Sequence, residues 1–192
     1  MKSYNSLPEG YHVIYTVNLQ KDKKIAVFIN VLSFIIAALM LIPASFFVPL
    51  SALFSMENGL INYFIRFACL LVLMILYMVL HELTHGIAMK ICGTQKIKYG
   101  FTGLYAYAGS DDFYDKKSYI LIALAPVVLL GFILLIVNFF VSYEWFYVIY
   151  ILQIINISGA AGDYFVSAKF SKMPKDILVS DSGIGMTVYS KI

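Results

Sequence analysis

From Ile25 to Met56 the chain carries no charged side chain. A helix crosses the hydrocarbon core of a bilayer with roughly 20 apolar residues, so this run is long enough, and it constrains the fold more than any other feature. Two more uncharged runs extend from Ser118 to Tyr143 and from Trp145 to Gly162, the latter continuing apolar past Asp163 to Ala168. A fourth, Asn58 to Lys90, is interrupted by Arg66 near its start and by His81, Glu82 and His85 near its end. Composition agrees: 61% of the 192 residues are hydrophobic and 13% charged, against about 25% charged in soluble domains. The expected fold is an α-helical polytopic membrane protein with four transmembrane helices, at about 26–48, 62–89, 119–141 and 146–168. The first span is longer than the apolar core of a signal peptide, about 7 to 15 residues, and is expected to stay in the mature chain.

Orientation follows from the lysines, because cytoplasmic loops carry the excess of basic residues. Lys2, Lys21, Lys23 and Lys24 precede the first span. Lys90, Lys96, Lys98, Lys116 and Lys117 lie between the second and third, and Lys169, Lys172, Lys175 and Lys191 follow the fourth. The opposite side holds Glu57, Arg66 and Glu144. Both termini are therefore expected in the cytoplasm of a multi-pass protein of the cell membrane. This asymmetry accounts for the net charge of +3 without a nucleic-acid partner. Cys69 and Cys92 fall in mid-membrane and at a cytoplasmic helix end, where neither placement favours a disulfide.

The cytoplasmic segments have their own pattern. Tyr11, Val13, Tyr15, Val17 and Leu19 alternate with mostly polar residues, which is the period of a strand. Ile97, Tyr99, Phe101, Tyr105 and Tyr107 share one parity, with glycines 100, 103 and 109 available for bends, and predict a hairpin at about 96–109. The tail from Ile177 to Tyr189 offers two short apolar pieces around a turn of Ser, Asp and Gly. A small cytoplasmic β-layer is expected, and residues 1–192 read as a single membrane-embedded domain.

Within the second span the chain reads "HELTHG" at 81–86. Residues four apart share a helix face, so His81 and His85 can aim imidazole nitrogens at one ion with Glu82 beside it. This is the H-E-x-x-H arrangement, in which two histidines hold Zn²⁺ and the glutamate acts as general base rather than ligand. Chance placement is the bland alternative, but an unpartnered carboxylate inside a span costs roughly 2 to 3 kcal/mol. A catalytic zinc takes three protein ligands and keeps one position open. His12 lies on the expected N-terminal strand. Asp163 is better placed, six residues before Lys169 as His85 is five before Lys90, which sets both at a similar depth. Its alternative roles are pairing with a surface lysine or capping a helix break, and Asp181 in the tail is a second candidate ligand. Asn156 and Ser158, one to two turns before Asp163, are candidates to hydrogen-bond substrate, or else pack helices. Pro126 removes a backbone donor from the third span and is expected to kink it.

These residues resemble a family of bacterial membrane proteins called "putative zincin peptidases", similar in pattern to the site-2 proteases. The resemblance is carried by "HELTHG" at 81–86, "ALAPVVLLG" at 123–131 and "NISGAAGDYF" at 156–165. It implies one zinc per chain, a third ligand at Asp163, and hydrolysis of peptide bonds in a membrane-associated protein or peptide substrate. Two other classes of function stay open. One is a nonproteolytic membrane partner protein that keeps a vestigial metal site, and the other is a metal sensor or transporter.

Overall fold

The computed structural model describes residues 3–18, 21–103 and 105–191. Among them, four helical segments are long and apolar enough to cross a membrane: Lys23–Phe47, Leu60–Ile91, Lys116–Phe140 and Tyr143–Ser171. The first three are the single helices α1 (Lys23–Phe47), α2 (Leu60–Ile91) and α3 (Lys116–Phe140), each a little longer than its expected span. The fourth is broken. It comprises α4 (Phe146–Gly159) and α5 (Ala161–Ser171), separated at Ala160, whose ψ of 14° departs from helical geometry. Gly159 supplies the weak point, since glycine disfavours a helix interior by about 1 kcal/mol relative to alanine. Asp115 caps α3 by accepting a bond from the Ser118 amide at 2.7 Å, a standard way to satisfy an orphan N–H of the first turn.

The strands are β1 (Ser3–Tyr4), β2 (Tyr11–Asn18), β3 (Lys98–Phe101), β4 (Ala106–Gly109), β5 (Phe113–Asp115), β6 (Leu178–Asp181) and β7 (Gly185–Lys191). Five of them form an antiparallel sheet in the order β1-β5-β6-β7-β2. The hairpin expected at 96–109 is β3 paired with β4, with Lys98 opposite Gly109 and Phe101 opposite Ala106. The N-terminal strand and the two tail pieces are β2, β6 and β7. Leu19, expected at the end of the N-terminal strand, lies outside the described residues. The short strands β1 and β5 carry too few residues to show a period.

The chain divides into two compact units. The first, Met1–Ile29 with His81–Pro126 and Gly162–Ile192, contains the sheet and a core in which Met89 of α2 and Cys92 just after it, Tyr119 and Ile122 of α3, and Val166 and Phe170 of α5 pack with Tyr114, Val179 and Val188 from the strands. Alternating side chains of β6 and β7 thus cover the ends of three helices. The second unit, Asn30–Leu80 with Val127–Ala161, is helical. Inside it Asn156 is fully buried, accepting from the Tyr77 hydroxyl at 3.0 Å and donating to the Val127 carbonyl at 3.1 Å. A Cβ at Gly131 would come 2.8 Å from the Asn156 amide nitrogen, so a glycine there leaves room for the contact. The Arg66 guanidinium gathers the carbonyls of Ala52, Ser55 and Glu144.

Candidate metal centre

Two helices of the first unit, α2 and α5, supply the donors of the site. The long apolar helix α2 carries His81 and His85 on one face, with ring centroids 4.9 Å apart and planes at 78°. The break at Ala160 starts a new helix just before Asp163, which therefore stands in the first turn of α5. Free backbone N–H groups and the positive end of the helix dipole favour a carboxylate there. Its Oδ2 lies 3.8 Å from His81 Nε2 and its Oδ1 3.9 Å from His85 Nε2. Among the described residues, these three side chains offer donor atoms all within 4.8 Å of one another. Ligands at about 2.0 to 2.1 Å from a tetrahedral zinc sit roughly 3.3 Å apart. The two histidine–aspartate separations need closing by roughly half an ångström to reach that spacing, and nitrogen, nitrogen and oxygen fit a zinc ion in type and number.

The surroundings orient the donors. His85 Nδ1 is 2.9 Å from the Ile122 carbonyl oxygen on α3. A carbonyl only accepts, so Nδ1 carries the proton, and Nε2 is the nitrogen that faces Asp163. Glu82 is half-buried and stands outside the donor group. It is close enough to His85, His81 and Asp163 to interact with each, and the Ala108 amide of β4 lies in its neighbourhood. The hairpin also reaches the helix through Tyr99. Its phenol lies over Gly86, where an added Cβ would come 1.9 Å from the hydroxyl oxygen. The last glycine of "HELTHG" thus lets β3 approach one residue beyond His85.

Other candidate residues lie elsewhere. Asp181 is buried and outside the donor group; its Oδ2 accepts from the Tyr119 hydroxyl at 2.8 Å and its Oδ1 from the Gly183 amide at 2.8 Å. Burial pushes its carboxyl above the ordinary aspartate value, partly offset by those two donors. His12 is exposed on β2, paired in register with Ser190. Cys92 is a buried free thiol whose pKa burial raises. Asn156 and Ser158 are buried in the second unit, with both ends of the Asn156 amide taken up by Tyr77 and Val127. The contacts of Ile122, Ala108 and Tyr119 escape a reading of the sequence, since each joins residues far apart in the chain. The proline four residues after Ile122 is the one local sign of the first.

Residues 74–178, just over half of the chain, match the family described as "Putative zincin peptidase". The chain belongs to this family. The match includes the H-E-x-x-H segment, the proline-containing stretch of α3 and Asp163. The family's description implies zinc and a peptidase. The chain is also 36% identical over 118 residues to an uncharacterised 24.7 kDa protein in the gap 5′ region of Pyrococcus woesei. The alignment covers 57% of this chain and 50% of that protein, so the chain spans about half the length of its curated relative. No solved structure matches it.

Proposed function

We propose that this protein is a zinc-dependent endopeptidase of the membrane, cleaving membrane-associated polypeptides at or near the cytoplasmic boundary. His81, His85 and Asp163 hold one zinc per chain and Glu82 is the general base. The observation that carries this reading is the convergence of two imidazoles and one carboxylate from α2 and α5 beside a glutamate that is free of the donor group.

A zinc ion held by His81, His85 and Asp163 would supply the Lewis acidity that activates a water and polarises a peptide carbonyl. The chain's own residues do the rest. Glu82 accepts the proton of the attacking water and delivers it to the leaving amine. The Ile122 carbonyl holds the His85 ring. Side-chain exposures of 13 to 23% at His81, His85 and Asp163 leave the centre a route to water.

Membrane insertion is supported by the exposed apolar surface. Phe34, Phe46, Phe47 and Phe139 are 75 to 85% exposed, a condition that costs free energy in water and none in lipid. The lysine distribution puts the strands and the metal centre toward the cytoplasm. Among the described residues β4 pairs only with β3, so an extended substrate segment can add to the hairpin as a strand close to the Ala108 amide and Glu82. Metal analysis of the purified protein tests the ligand set. About one zinc per chain is expected, with most of it lost in His81→Ala and His85→Ala. Full retention in both variants would remove the basis of the proposal.

A further inference from the structure

The third helix contains a proline at 126. In an α-helix the N–H of residue i bonds the carbonyl of residue i−4, and proline has no N–H. The carbonyl deprived of its partner by Pro126 is therefore that of Ile122, the same carbonyl that receives the proton of His85 Nδ1 at 2.9 Å. The proline ring also collides with the i−4 carbonyl of a straight helix, which turns that oxygen away from the helix axis. Outward is the direction from which a side chain of a neighbouring helix can reach it. Any other residue at 126 would present an amide N–H to Ile122 O along the axis and compete with the imidazole.

We propose that Pro126 is a positioning residue for the metal centre: it keeps the Ile122 carbonyl available to His85, and so holds that ring in the Nδ1–H tautomer with Nε2 aimed at the metal. The inference rests on the reading of His85 as a zinc ligand. Groups that receive the second N–H of a metal-binding histidine fix its tautomer and orientation, and losing them typically costs 10- to 100-fold in metal affinity. Here the receiving group is a backbone carbonyl that no side-chain substitution at 122 removes. Control over it passes instead to the residue one helical turn away.

The test uses full-length protein in detergent, with zinc affinity measured by competition against a chromophoric chelator and the histidine tautomers read by ¹⁵N NMR on metal-free protein. The three histidines, His12, His81 and His85, make assignment by single substitution practical. Pro126→Ala restores the amide and is expected to weaken zinc binding at least tenfold, and to shift metal-free His85 from a predominantly Nδ1–H ring toward a mixture. An α-hydroxy acid at position 126 has an ester oxygen in place of the amide and no ring. It is expected to bind zinc near the wild-type level. Wild-type affinity and tautomer in Pro126→Ala would overturn the proposal. So would weak binding in the ester variant, because the missing donor would then not be what matters; this second arm decides the question even where Pro126→Ala does not fold. Failure of the underlying ligand assignment looks different: His85→Ala would bind zinc as tightly as wild type.

Discussion

Glu82 and Asp163 are both carboxylates near the same two histidines, yet they are placed to do different things. Asp163 offers oxygens 3.8 and 3.9 Å from the imidazole Nε2 atoms, whereas Glu82 lies outside the donor group. Replacement by the isosteric amide separates the roles. Glu82→Gln keeps the volume but cannot take a proton from water. Zinc content is expected near wild type while cleavage of a membrane-protein substrate falls at least about 100-fold, the low end of what a general base contributes. Asp163→Asn is expected to lose zinc as well as activity. Metal analysis beside a cleavage assay checks both, and the reverse pattern would exchange the two assignments. The histidine pair and its glutamate were legible from spacing alone, because i and i+4 share a face of any helix. The placing of Asp163, 78 residues after His85, was legible only as a matching depth.

At the scale of elements, the four apolar segments and the hairpin were readable because length and period survive any packing. The break in the fourth segment was not, although it decides where Asp163 sits. Close backbone contacts are a second feature of this scale. A Cβ at Gly109 would come 2.4 Å from the Ser182 carbonyl carbon and 2.5 Å from the Gly183 nitrogen, and neither backbone atom can swing aside. Gly109→Ala is expected to push β4 off the β6–β7 turn and to destabilise by about 1 to 3 kcal/mol, seen as a lower Tm in detergent; an unchanged Tm would mean the turn shifts freely. That turn also holds Asp181. Its folded-state pKa is raised, chiefly by burial, so the folded protein binds the proton more tightly than the unfolded chain. Its contribution to stability is full below the unfolded value of about 3.9 and declines as pH rises through the folded value. In metal-free protein, Asp181→Asn is expected to flatten this decline in thermal unfolding followed from pH 4 upward. Parallel profiles for the two proteins would show that the carboxyl is not buried as described.

For the whole molecule the argument concerns a boundary. Thirteen of the fourteen basic residues fall in segments that the four-span reading puts on one side; the strands are built from those same segments, and His81, His85 and Asp163 lie on the helices that lead into them. Reporter fusions after residue 192 and near residue 57 are expected to report opposite sides of the membrane, with the C-terminus cytoplasmic. An external C-terminus would reverse the whole arrangement and move the metal centre to the other compartment.

Apolar run length, lysine asymmetry and the four-residue spacing of His81 and His85 are one-dimensional properties, set by bilayer thickness and helix pitch, and the sequence by itself determined them. What joins distant residues was decided only in three dimensions. The break at Ala160 leaves Asp163 in the first turn of a new helix, and Gly86 admits Tyr99 onto α2. A proline on α3 leaves its carbonyl to a histidine on another helix. Each depends on how helices meet, and that meeting is governed by side-chain packing around Tyr114, Tyr119 and Phe170, which no local period encodes.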